Sequence, residues 1–143
     1  MSGIIVGVDG SGHSRQALGW AMREAVLRHV PMTVITVRPA TVSYWGAVTY
    51  PEGQAEREEA RKTVQGEVDK VASEIGQPLP DITVDVATGV AAEELVSVSR
   101  DADLLVVGSR GSGGFARLLM GSVSSQVAHH AECPVAVIRG AHR

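Results

Sequence analysis

The sequence predicts an open α/β fold, a single-domain parallel five-stranded sheet in the order 3-2-1-4-5 with helices on both faces. Three observations carry it. Short apolar runs alternate with helix-length periodic segments as β-α-β-α-β-α-β-α-β, the order that right-handed crossovers in a parallel sheet require. Residues 4–8 and 104–107 are continuously apolar, as strands buried on both faces are. Polar, glycine-containing residues follow the first and fourth strands, where ligands bind beside a reversal of strand order.

The first strand, residues 4–8, ends in Asp9-Gly10-Ser11-Gly12. Ser11 suits an N-cap, and Leu18, Ala21, Met22 and Ala25 then recur at helical spacing. This helix stops near Val30, because Pro31 disfavours helical geometry before it. Residues 33–37 are rich in β-branched side chains and predict the second strand, ended by Pro39. The stretch from Thr41 to Gln54 is read as a loop and holds Tyr44, Trp45 and Tyr50, either a cover over core or a lid over a ligand.

Residues 52–75 predict a helix with Ala60, Val64, Val68, Val71 and Ile75 on one face and Gly76 as its C-cap. Residues 82–86 alternate apolar and polar, as an edge strand does. A short helix over 91–100 turns Ala91, Leu95 and Val98 inward. Residues 104–107 predict a central strand. A glycine-rich connection leads to a helix over 122–131, and Val135 to Ile138 form the last strand.

Composition bounds the function. With 143 residues the chain predicts one domain, residues 1–143, large enough to build a core without disulfides. Aromatics are only 3%, so aliphatic side chains must fill that core. The net charge of −3 argues against nucleic acid as a partner, because phosphates need a basic face. Cys133 is the only cysteine, which excludes an internal disulfide, fits a reducing compartment and predicts a buried residue at the entry to the last strand. No signal-peptide pattern or membrane-length apolar run appears, so the expected location is cytoplasmic, with no membrane partner.

Residues 108–124 read Gly-Ser-Arg-Gly-Ser-Gly-Gly-Phe-Ala-Arg-Leu-Leu-Met-Gly-Ser-Val-Ser. Glycines let a backbone approach a ligand closely, and the first turn of the helix opened by Gly121-Ser122 offers unpaired N–H groups to an anion. Ser122 and Ser124 add hydroxyls. Glycine-rich stretches are also plain connectors, so this composition alone leaves both readings open. A P-loop is excluded: Lys62 and Lys70 are the only lysines, and neither follows a glycine. No Gly-x-Gly-x-x-Gly follows the first strand. A phosphorelay receiver lacks its acidic pair and its late lysine. A hydrolase lacks both a Gly-x-Ser-x-Gly elbow and a His-Glu-x-x-His helix. His129 and His130 are adjacent on a helix and cannot share a metal ion, and His13 lies near the expected cleft.

The spacing Gly108-x2-Gly111-x9-Gly121-Ser122 resembles the ATP-binding pattern of the universal stress protein family. So do the opening Ile-Ile-Val-Gly-Val-Asp-Gly-Ser (4–11), the run Asp-Leu-Leu-Val-Val-Gly-Ser-Arg-Gly (103–111) and the ending His-Ala-Glu-Cys-Pro-Val-Ala-Val-Ile-Arg (130–139). The resemblance covers nearly the whole chain. It implies that Asp9, with Gly10 and Ser11, meets the ribose or a nucleotide-bound divalent ion, and that the backbone of Val37 meets adenine. It implies that Gly108, Arg110 and Gly111 follow the phosphates, and that Gly121, Ser122, Val123 and Ser124 hold them. The implied ligand is ATP with Mg2+ or Mn2+, bound by a regulatory module with no fixed metal site and no catalytic residues. The implied partner is a second copy paired through Val135 to Ile138. Binding of AMP or cyclic AMP, and a dimeric interaction module without nucleotide, are the competing readings.

Overall fold

Side chains alternate along a strand, so a parallel strand covered on both faces must be apolar at every position. In this computed structural model, which describes residues 3–39, 41–42, 48–49, 53–109 and 122–139, that rule produces two cores. The central strands are β1 (Ile4–Gly7), β2 (Met32–Pro39) and β6 (Leu104–Gly108). Ile4, Val6, Met32, Val34, Leu104 and Val106 face one core, and Ile35, Leu105 and Val107 face the other.

The first core is closed by α1 (Gly12–Arg28) and α2 (Gln54–Ile75), through Leu18, Ala21, Met22, Ala25, Val64 and Val68. The second is closed by α3 (Ala91–Ser99) and α4 (Ser122–His130), through Leu95 and Val127. The edge strands are β5 (Ile82–Gly89) and β7 (Val135–Ile138). The sheet order is β5-β2-β1-β6-β7 and the pairings within it are parallel. Numbered over these five strands, that is the expected 3-2-1-4-5.

Helix boundaries follow local chemistry. The Ser11 hydroxyl accepts the Ser14 N–H and caps α1. The helix ends at Arg28, and His29 takes the left-handed conformation (φ 57°) before Pro31. The Glu56 carboxylate accepts the Gly53 N–H at 2.8 Å and starts α2, and Gly76 ends it at φ 65°. Glu52 lies outside the described residues.

β2 runs from Met32 to Pro39, where the strand ends, and it is paired with β5 as far as Pro39 opposite Gly89. Successive residues of a strand turn their N–H and C=O to opposite sides. The Met32 N–H reaches Asp81 O on the β5 side, whereas Ile35 O accepts from Val8 on the β1 side. Odd residues of β2 therefore face β1. The N–H that Pro39 lacks would point where β1 has already ended, so proline costs the ladder nothing. The stretch read as a loop also contains a two-rung antiparallel hairpin, β3 (Thr41–Val42) with β4 (Val48–Thr49). Tyr44, Trp45 and Tyr50 lie outside the described residues.

Cys133 is half-buried rather than buried, with its Sγ 3.3 Å from Pro134 O. His129 and His130 are exposed, their rings edge-on at 6.2 Å. Among the described residues no helix is long and apolar enough to cross a membrane.

Candidate functional site at the carboxyl ends of β2, β1 and β6

β1 is the shortest of the three central strands, and that difference opens the site. Its pairing with β2 stops at Gly7 opposite Ile35, with one further bond from the Val8 N–H to Ile35 O at 2.9 Å. Gly10, at φ 85°, has turned out of the strand, a conformation that favours glycine. β2 continues for four more residues against β5. By the alternation above, the N–H and C=O of Val37 both turn to the side that β1 has left. A donor and an acceptor on one residue then face the space above the end of β1.

Asp9 stands at that end, exposed. Its Oδ1 accepts the Ser11 N–H at 3.0 Å, and its own N–H is taken by the Ser14 Oγ at 3.2 Å. The Gly10 carbonyl accepts from Arg15 Nη1 at 3.0 Å. Ser11 is half-buried and serves as the α1 cap.

On the other flank, Gly108 closes β6 and lies against the first turn of α1. Ser109 follows; its N–H donates to Ile138 O at 2.8 Å, and its carbonyl accepts the Ser124 hydroxyl at 3.1 Å. Ser124 is 2% exposed, so its hydroxyl pins the first turn of α4 to the end of β6. Ser122 is exposed at the first position of α4, and Val123 is half-buried against the second core. The N-terminal turn of α4 carries the positive end of the helix dipole toward the same end of the sheet.

The structure thus brings Asp9, Gly10, Ser11, Val37, Gly108, Ser122, Val123 and Ser124 to the carboxyl ends of β1, β2 and β6 and the helix starts that follow β1 and β6. Arg110, Gly111 and Gly121 lie outside the described residues. Sequence reasoning missed Ser14 and Arg15. Their signal was only a serine and an arginine in the turn after a cap. His13 lies at the cleft, as expected, and its Nδ1 is shielded from solvent without a hydrogen bond. Among the described residues no group of three His, Cys, Asp or Glu is placed to hold a metal ion. A groove of about 1070 Å³ runs between α1 and α2, lined by Arg15, Gly19, Arg23, Lys70 and Ile75. It follows the helices rather than the strand ends and is open to solvent.

The pattern of the universal stress protein family matches residues 1–139. The chain belongs to the universal stress protein family. Universal stress protein Rv2005c of Mycobacterium tuberculosis is 37% identical over 139 residues, covering 95% of this chain and 47% of the relative. The chain spans about half the length of the curated relatives it matches. Among solved structures, the universal stress protein UspA from Lactobacillus plantarum shares the fold at a TM-score of 0.78, with 23% identity over 96% of this chain and 97% of that one. A universal stress protein solved in complex with cAMP is 25% identical at a TM-score of 0.67, covering 97% of this chain and 96% of that one. This universal stress protein domain places its strand ends and two helix starts together on one side of the sheet.

Proposed function

We propose that this universal stress protein domain binds an adenine nucleotide, ATP with Mg2+ or Mn2+ foremost, and works as a regulatory module read by its occupancy rather than as a fast enzyme. The observation that carries the reading is Val37. Its backbone donor and acceptor face the space beyond β1, a pairing suited to the edge of adenine, which offers an amino donor beside a ring-nitrogen acceptor. Asp9, exposed at the end of the adjacent strand, would take the ribose hydroxyls or a nucleotide-bound divalent ion. The start of α4, at Gly121, Ser122, Val123 and Ser124, would take the phosphates through backbone N–H groups and the Ser122 hydroxyl, with Gly108, Arg110 and Gly111, because the Ser124 hydroxyl is buried and already donates to Ser109 O. The ion, when bound, would neutralise phosphate charge, and the donor set offers one carboxylate rather than a cage, which fits an ion carried by the nucleotide.

A second reading has its own support. The relative solved with cAMP is 25% identical, and the same adenine and ribose contacts would serve a monophosphate. Calorimetric titration of nucleotide-stripped protein with MgATP, AMP and cyclic AMP decides between them. ATP binding tighter than the monophosphates supports the first reading. Preference for a monophosphate supports the second, and no binding of any leaves an interaction module.

Pairing of two copies through β7 belongs to the same proposal. The β7 edge is Val-Ala-Val-Ile, half-buried and without charge, whereas β5 carries exposed Thr83 and Asp85. Charged residues guard an edge against pairing, and an uncharged apolar edge invites it.

A further inference from the structure

We infer that Ser14 is a positioning residue of the nucleotide site: it fixes the Asp9-Gly10-Ser11 turn and, through it, the direction of the Asp9 carboxylate. The inference rests on the nucleotide reading above and adds a residue outside the glycine pattern.

Ser14 is 3% exposed in the first turn of α1. Its hydroxyl has one proton to give and lone pairs to accept with. It donates to Ser11 O at 3.1 Å and accepts the Asp9 N–H at 3.2 Å, while its own N–H donates to the Ser11 Oγ at 3.1 Å. A serine inside a helix often bonds back to a carbonyl three or four residues earlier, which accounts for the first of these. Capping by Ser11 accounts for the third. Neither accounts for the second, which reaches out of the helix to the residue bearing the carboxylate.

That bond acts where the strand ladder fails. In a continued strand the Asp9 N–H would turn away from β2 toward β6, since the Val8 N–H is on the β2 side. Here it is taken by Ser14 instead. The rest of the turn closes around this point. The Asp9 Oδ1 holds the Ser11 N–H, and Ser11 O accepts both the Arg15 N–H and the Ser14 hydroxyl. Arg15 Nη1 also braces Gly10 O, but Arg15 is exposed, and a solvated side chain holds a geometry weakly. The buried brace sets the turn.

The test is a double-mutant cycle between Ser14→Ala and Asp9→Ala, read by calorimetric titration with MgATP. Loss of the hydroxyl is expected to weaken MgATP roughly five- to twentyfold, the scale of one or two hydrogen bonds. The double mutant is expected to bind no more weakly than Asp9→Ala alone, because Ser14 acts through Asp9. A merely structural role would not produce that coupling. Ser14→Cys is the second variant: the thiol fits the same space but bonds weakly, so it is expected to track Ser14→Ala even where alanine compromises folding. Wild-type affinity in a folded Ser14 variant, or losses that multiply in the double mutant, overturns the proposal alone. An unaltered protein that binds no adenine nucleotide overturns the nucleotide reading and this proposal with it.

Discussion

Gly108 lies so close under His13 that a Cβ built on it would sit 2.9 Å from both the carbonyl carbon and the carbonyl oxygen of His13. The first glycine of the glycine-rich pattern therefore seats α1 on the end of β6. The atoms it makes room for are backbone, in a turn already held by Ser11 and Ser14. They cannot rotate aside as a side chain would. Gly108→Ala is expected to destabilise the domain by about 1–3 kcal/mol, the usual cost of overpacking. Urea unfolding checks it, with a lowered midpoint and an unchanged slope.

Gly7 supplies the contrast. A Cβ there would meet the Leu95 Cδ1 and Cδ2 at 3.2 Å, the far end of a side chain rather than a main chain. Leu95 is 4% exposed, so it has little room, but a shift of a few tenths of an ångström suffices. Gly7→Ala is expected to cost less than Gly108→Ala, about 1 kcal/mol or below. The same urea series decides, and a larger loss at Gly7 would reverse the ranking.

Arg57 blunts one edge of the sheet. The Asp81 carbonyl accepts from Met32, so odd residues of β5 face β2 and the Val86 carbonyl faces outward. Arg57 Nη2 donates to that carbonyl at 2.5 Å, and Nη1 to the Thr88 Oγ1 at 2.6 Å. The guanidinium fork joins the first turns of α2 to an edge strand that would otherwise present bare acceptors. Arg57→Ala is expected to cost about 1–2 kcal/mol, less than a fully buried charged bond, and to speed amide exchange over residues 86–89. Arg57→Lys should not restore it, because one ammonium cannot span both acceptors. Unchanged exchange in either variant would remove the brace from this account.

Much of this was legible in the sequence because strand burial and helix periodicity write directly into residue type. Val106 and Leu105 are apolar because both faces are covered, and Leu18 and Met22 fall on one stripe because one face is. Glycine and proline were less readable. Pro39 is the last residue of β2, yet it still pairs with β5 because its missing donor falls beyond β1, a fact of register rather than of composition. The candidate site was legible in part as strand ends, which gave Asp9, whereas Val37 came from the family resemblance. Ser14 was not legible, because a serine three residues after a cap has the same appearance whether it bonds only its own helix or also the strand before it. The linkage of Gly108 to His13 spans two segments far apart in the chain, and no local pattern records it.

Cys133 reports on the strand entry beside β6. Burial pushes its thiol above the ordinary value, a backbone bond involving Leu105 draws it part of the way back, and the Asp103 carboxylate adds to the rise. The folded state therefore keeps the proton to higher pH than the unfolded chain. The stability this group contributes is fully present below the ordinary thiol value and is lost as pH rises through the folded one. Alkylation at about pH 8.5 is expected to be slower in the folded protein than in denaturant, because the thiolate is the reacting form. Equal rates in the two states would contradict the shift.

The pairing proposed for β7 can be tested without touching its bond to β6. The carbonyls of Pro134 and Ile138 accept from Leu105 and Ser109, so even residues of β7 face β6. Val135 and Val137 then turn their N–H and C=O outward, to the free edge. Proline is tolerated on an edge strand where its missing N–H would face away from the ladder. Val137→Pro is thus expected to leave the five-stranded sheet folded while removing a donor that a partner strand needs. Sedimentation is expected to show a dimer for the unaltered domain and a monomer for Val137→Pro, with the far-ultraviolet circular dichroism unchanged; an unaltered domain that sediments as a monomer would refute the pairing itself. A Val137→Pro protein that remains dimeric places the contact elsewhere on the surface, and one that unfolds would mean that Val137 serves the second core more than the edge.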